Sequence, residues 1–254
     1  MDIQLYKNNL KTSILGQNFI YLDETQSTND DLWDLVNKNN HQIGTVILAE
    51  NQNQGRGRRG RKWFSQSGKS LTFSVLLHPF SSIEKIGTTT LLSGIAIVKA
   101  IQKTISVNAK LKWPNDIIID SKKTGGVLSE SRKIGNQYFV VIGIGLNVNE
   151  KLNDFPSELI SQLTSLSHHT KKTINREILL SEILNQFEKH LMMSEKEVLV
   201  EWNQNCGHMG STVRFHQGNN VVEGRFMGLN QKGHAVIDIN NSREIFTSGD
   251  LILS

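Results

Sequence analysis

Apolar positions along the chain switch between a spacing of two and a spacing of three to four, and the order of the switches predicts a mixed fold. Phe19 to Leu22 reads as a strand. In TQSTNDDLWDLVNKNN, Thr28 or Asn29 is placed to cap a helix whose first turn carries Asp30 and Asp31 and whose buried stripe is Leu32, Trp33, Leu35 and Val36. Ser27, Thr28 and Asn29 then sit at a strand-to-helix junction. Strands follow at Thr45 to Glu50 and Ser70 to His78, and a core helix from Thr90 to Thr104 on the spacing of Leu91, Leu92, Ile95, Val98 and Ile101. KLKW, DIIID, GGVLSE and FVVIGIGLNV return to strand. Helical spacing resumes from Asn175 to Asn203, with Ile178, Leu179, Ile183 and Phe187 on one face, Leu199 and Trp202 beyond, and a break near Ser194.

The last fifty residues change character: STVRF, VVEGRFMGL, HAVIDI and REIFT alternate with turns at Gln217 to Asn220 and Asn240-Asn241, the pattern of a small β-barrel. A boundary near Cys206 to Met209 divides the chain into residues 1–207 and 208–254. Composition agrees with two globular units, since 37% of the 254 residues are apolar, 20% are charged and three are proline. The lone cysteine, Cys206, excludes an internal disulfide and predicts a cytosolic chain. No apolar run suits a membrane span or signal peptide. A net charge of +4 identifies no partner by itself, so what matters is where the cations sit.

They concentrate in QNQGRGRRGRKW, Gln52 to Trp63, where three glycines and five basic residues lie between two predicted strands. Glycine allows close backbone approach and arginine supplies a fixed fork of donors, a pairing suited to anions. Such a loop equally suits nucleic acid, with Trp63 and Phe64 as stacking partners; its flanking strands favour an ordered anion site. Like charges so close together predict that it orders on ligand binding. In KWPNDIIID, Pro114 extends Trp113 and leaves Lys112, Asn115 and Asp116 near one strand end. In KKTGGVLSE either Lys122 or Lys123 could reach a phosphate or carboxylate. GIGLNVN lacks the third glycine of a dinucleotide fingerprint; its glycines let a ligand or strand approach, and Asn147 offers an amide. The histidines, His168-His169 included, lie outside these segments and read as solvated; Trp33 and Trp202 read as core.

The combination STN (27–29), GRGRRGRKW (55–63), KWPND (112–116), KxxGG (122–126) and GxGxN (143–147), in this order, resembles the bacterial biotin protein ligases over about residues 19–254. The resemblance implies an α+β catalytic domain of the class II synthetase-like type, with a mixed, largely antiparallel sheet packed with helices, and an SH3-like barrel matched through Gly224, Gly228, Gly233 and Ser248-Gly249-Asp250. It implies activation of biotin with MgATP to biotinyl-5′-AMP, then transfer to a lysine of a biotin carboxyl carrier domain, typically of acetyl-CoA carboxylase. Ser27, Thr28, Asn29 and Gln52 would hold the ureido ring. Arg56, Gly57 and Arg58 would close over the biotin carboxylate and the α-phosphate, with Arg61 and Trp63 on the nucleotide side. Lys112 and Asn115 join the binding residues, Asn147 would read adenine, and Asp116 would orient Mg²⁺ or a lysine. Lys123, with Arg58 and Asp116, would carry the chemistry; no metal ligand set is assigned.

Only eighteen residues precede Phe19, too few for the helix-turn-helix that some family members carry, so no DNA partner is expected. The chain ends in LILS where many relatives place an arginine, and Gln54 stands where a small residue is usual. The family's members are monomers or homodimers in the cytoplasm. A lipoate or octanoyl transferase is the rival enzyme, distinguished by a longer apolar channel in place of the ureido corner.

Overall fold

The computed structural model describes residues 1–80, 84–217 and 220–253. Strands β1 (Phe19–Thr25), β2 (Val46–Gln52), β3 (Leu71–Phe80), β4 (Lys110–Lys112), β5 (Asp116–Ile119), β6 (Lys122–Ile134) and β7 (Gln137–Leu146) form one sheet in the order β1-β2-β3-β7-β6-β5-β4. Its β1–β2 pair is parallel and its other ladders are antiparallel. Alternation along each strand divides the two faces. Phe73, Val75 and Leu77 of β3 and Ile142 and Ile144 of β7 join one core with helix α3 (Glu84–Ile105) and helix α5 (Arg176–His190), which supply Ile95, Val98, Ile101, Ile183 and Phe187. The intervening positions Ile47, Leu76 and Val141 face the other way and pack under Leu32, Trp33 and Val36 of helix α2 (Thr28–Asn37). Helix α2 therefore covers only part of that second face.

Helix α6 (Glu195–Asn205) starts at a capping box in which Ser194 and Glu197 satisfy each other's main-chain nitrogens, which accounts for the break in the helical pattern there. A second sheet contains β8 (Thr212–Gln217), β9 (Asn220–Leu229), β10 (Ala235–Ile239), β11 (Ser242–Phe246) and β12 (Asp250–Leu253), all antiparallel, in the order β11-β10-β9-β8-β12. Among the described residues β11 and β12 do not pair, so the strands form an open sheet rather than a closed barrel. The centre of the predicted turn at 217–220 lies outside the described residues. Trp113 joins the two sheets: its ring lies 5.8 Å from that of Phe215, and its Nε1 donates to Gly233 O at 3.2 Å.

The structure departs from the sequence pattern at further points. Helix α1 (Ile3–Asn9) was not anticipated; its single buried side chain, Tyr6, reaches Gly16 O and is covered by α5. Neither β12 nor the short helix α4 (Leu166–Thr170) was read from the pattern. The N-cap of α2 is Ser27 rather than Thr28 or Asn29. Ile178 sits off the buried face of α5, at 37% exposure. Two histidines are buried rather than solvated, His190 and His208; burial pushes His208 down to about 4, which leaves it neutral against the Phe226 ring at 4.3 Å. Among the described residues no helix is long and apolar enough to cross a membrane.

Candidate active site

A single cross-strand row forms the centre of the site. Thr72 on β3 pairs with Gly145 on β7, Gly145 with Gly126 on β6, Gly126 with Asp116 on β5, and Asp116 with Lys112 on β4. Directly opposed residues share a face, so this row runs polar, glycine, glycine, acid, base. The next row of the same face pairs Ser74 with Gly143. With no side chains at 126, 143 and 145, a shallow floor is left beside the part of the face that α2 covers. Other residues lean over it. A Cβ on Gly143 would stand 2.5 Å from Asn29 Oδ1, and one on Gly145 would stand 2.3 Å from the Trp63 ring. The GIG glycines, expected to admit a ligand or another strand, are approached here by these two side chains instead.

At one end of the floor lies a corner of neutral polar groups. Gln52 Oε1 accepts from Thr28 N at 2.8 Å and from Thr28 Oγ1 at 3.0 Å, so Gln52 satisfies the first turn of α2, which the Ser27 hydroxyl does not cap. Thr28 Oγ1 is 2.7 Å from Ser74 Oγ, which donates to Asn29 Oδ1 at 2.6 Å. Asn29 Nδ2 is buried without a partner among the described residues. Ser27, Thr28 and Asn29 are all buried. The corner thus contains amides and hydroxyls but no charge.

The other end is cationic. Lys123 Nζ donates to Asp116 Oδ1 at 2.5 Å. Simple alternation from Gly126 would turn Lys123 away and present Lys122 instead. The β5–β6 register shifts between Ile117 and Ile118, so that Ile117 opposes Gly125 while Ile118 opposes Lys123, and the skipped Thr124 is buried against Asn147 O. This bulge re-aims Lys123 onto the face of Gly126 and Asp116, whereas Lys122 is exposed. Lys112 is half-buried; burial lowers its proton affinity, Asp116 opposes that shift and Lys123 adds to it.

The glycine-arginine loop folds as a small hairpin, with Arg56 bridged to Lys62 and a tight turn at Arg58–Gly60 where Arg59 takes φ 56°. The self-repulsion expected of its cations is offset by carboxylates from other elements. Arg56 makes a bidentate pair with Asp30, both bonds 2.6 Å, and lies 3.6 Å from Glu130, which in turn accepts from Trp33 Nε1. Arg59 and Arg61 both reach Asp250 at the start of β12. Arg58 is different: among the described residues its guanidinium makes one hydrogen bond, to Asn115 Oδ1 at 3.3 Å, and has no carboxylate partner. Burial and the neighbouring Arg59 oppose its charge. Of the loop arginines singled out above, Arg58 therefore faces the floor unpaired, while Arg56 and Arg61 are engaged outside it.

Trp63 Nε1 donates to Thr72 Oγ1 at 3.3 Å, which seats the ring over Gly145. Gly57 N donates to Arg61 O within the hairpin. Asn147 is buried and donates from Nδ2 to Thr164 O at 3.1 Å, so one of its donors is turned into the fold. Sequence reasoning missed Thr72 and Ser74, which look like ordinary alternating positions of β3, and Asp250, whose partners lie about 190 residues earlier. It follows that Asp250→Asn should loosen the hairpin. Limited proteolysis at Arg56 to Arg61 is expected to accelerate about threefold to fivefold, the scale of a partly exposed ion pair; an unchanged rate would show that Asp250 does not hold the loop.

Residues 21–147 match the Biotin/lipoate A/B protein ligase family, and residues 208–254 match the Biotin protein ligase C terminal domain. The chain is 34% identical to the bifunctional ligase/repressor BirA of Bacillus subtilis, over 96% of this chain and 76% of that one. It is 27% identical to the biotin--[acetyl-CoA-carboxylase] ligase of Mycobacterium tuberculosis, over 90% and 86%. The solved biotin protein ligase of Aquifex aeolicus in complex with biotin and ATP superposes with a TM-score of 0.81 at 31% identity, covering 94% of this chain and 99% of that one. The chain belongs to the biotin protein ligases, a family of ATP-dependent ligases.

Proposed function

We propose that this protein joins biotin to ATP, forming biotinyl-5′-AMP and pyrophosphate, and then passes the biotinyl group to one lysine of a biotin carboxyl carrier protein, such as that of acetyl-CoA carboxylase. One observation carries the reading: a glycine floor joins a neutral amide-and-hydroxyl corner to an end bearing Arg58, Lys112 and Lys123. Biotin has the same polarity, a neutral cyclic urea at one end and a carboxylate at the other. A urea needs donors and acceptors rather than charge, which Ser27, Thr28, Asn29, Gln52 and Ser74 supply. The polar corner also speaks against a lipoyl or octanoyl chain, whose apolar end would leave these groups unpaired.

In the first step a carboxylate oxygen forms a bond to the α-phosphorus and the bond to pyrophosphate breaks. Two anions must meet. Arg58, without a carboxylate of its own, and Lys123, fixed by Asp116, stabilise the charge shared between them, and burial makes each contact count for more. The Lys112 ammonium adds to the same field. Trp63 over Gly145 offers an aromatic wall on the nucleotide side, and Asn147 orders the strand end beside it. In the second step the carrier lysine's amine bonds to the acyl carbon and AMP leaves. Among the described residues no three His, Cys, Asp or Glu gather to hold a metal, and Asp116 is committed to Lys123; Mg²⁺ enters with the substrate MgATP, held chiefly by the phosphates.

Incubation with biotin, MgATP and an apo carrier domain is expected to release pyrophosphate and leave one biotinylated lysine on the carrier. Lipoate replacing biotin with equal efficiency, or no pyrophosphate release at all, would overturn the reading.

A further inference from the structure

A recess of about 530 Å³ lies on the far side of the Lys123 strand, between the end of α3 and the start of α5. That volume is in the range of small-molecule sites. Its apolar lining comes from Ile105, Val107, Ile178 and Leu179, and Lys172 brings an ammonium to it. Ile178 is the residue that leaves the buried face of α5, so its partial exposure has a location to explain it.

The charge around the recess is one-sided. Burial lowers the proton affinity of His169, the Asp120 carboxylate opposes that shift, and His168, Lys171 and Lys122 add to it. Asp120 lies 3.5 Å from His169 Nδ1 but is 85% exposed and well hydrated. The acid in the first turn of α5, Glu177, is occupied by Asp2 N, and Arg176 beside it is buried on Glu50. This end of the helix is capped by Asn175, whose Oδ1 accepts from Ile178 N at 2.9 Å, so the attraction for an anion in the recess comes from Lys172. One wall is tied to the active site: His169 Nε2 lies 2.9 Å from Thr164 Oγ1, and Thr164 N donates to Lys123 O.

We propose that this recess is a second ligand site, for a small organic monoanion with an apolar body. The apolar floor would take the body, and Lys172 would take the charge. Binding there is independent of which reaction Lys123 serves, and the test reads binding alone. Titrating the ¹⁵N-labelled full chain with 4-phenylbutanoate is expected to give saturable amide shifts at Thr173, Ile174 and Asn175. The uncharged 4-phenylbutan-1-ol should bind about fivefold more weakly, and Lys172→Glu should weaken the acid by about fivefold or more while leaving the alcohol unchanged. Shifts that do not saturate, an alcohol that matches the acid, or acid binding that Lys172→Glu leaves unchanged would each overturn the proposal, the last by showing that the probe had bound elsewhere.

Discussion

Lys123→Ala is expected to slow formation of biotinyl-adenylate by about 100-fold to 1,000-fold, the usual consequence of removing one preorganised donor from a charged transition state. The loss should fall on kcat more than on the KM for biotin, because the neutral corner around Gln52 is untouched. Asp116 and Lys123 are both partly solvated, so the variant keeps its fold and its urea midpoint should barely move. Lys122→Ala is the matched control, one residue away but exposed. Pyrophosphate release in a single-turnover assay separates the two variants. A wild-type rate for Lys123→Ala, or a larger loss for Lys122→Ala, would remove Lys123 from the chemistry.

The second large effect concerns stability. Arg176 donates to both oxygens of Glu50, at 2.8 and 2.9 Å, and to Ser70 O at 2.8 Å, with both side chains under 10% exposed. Arg176→Met leaves Glu50 buried with its charge uncompensated, and unfolding in urea is expected to show a loss of about 3–5 kcal/mol. Adding Glu50→Leu to that variant should restore part of the loss, since the desolvation of a lone carboxylate is then removed. Burial disfavours the Glu50 charge, but the Arg176 bonds and the Gly68 N–H outweigh it and hold the carboxyl below its ordinary value. A lowered native pKa means that the pair's contribution is complete above the ordinary glutamate range and disappears as pH falls through the native value. Wild type should therefore lose stability more steeply below about pH 4.5 than the double variant. An equal acid slope in the two proteins would place the acid sensitivity elsewhere.

How much of this was legible beforehand depends on whether the determinant is local. The strand at Val46–Gln52, the strand at Leu71–Phe80, the core helix and the Ser194 break are written in short-range periodicity and capping, and the sequence pattern finds them. Helix α1 is seven residues with one buried side chain, and what makes it stable is α5, whose Ser181 bonds Tyr6 O 175 residues away. No local pattern carries that information. The choice between Lys122 and Lys123 is a sharper case. Alternation from Gly126 selects Lys122, the family resemblance selects Lys123, and the bulge at Thr124 explains why alternation fails. The loop's composition announced an anion site, yet not which arginine serves it: Arg56, Arg59 and Arg61 are distinguished from Arg58 by Asp30, Glu130 and Asp250, contributed by distant segments.

The attachment of Arg59 and Arg61 to Asp250 bears on how shortened forms of this protein should be interpreted. A chain clipped before β12 would lose that carboxylate along with the strand, and of the hairpin's ion pairs those of Arg56 with Asp30 and Glu130 would remain. Failed adenylation by such a fragment would therefore be no proof that the terminal strands meet the nucleotide, because the same failure arises when a loop in the other half of the molecule comes adrift. A full-length Asp250→Asn protein separates the two causes, keeping every strand while cutting the tether.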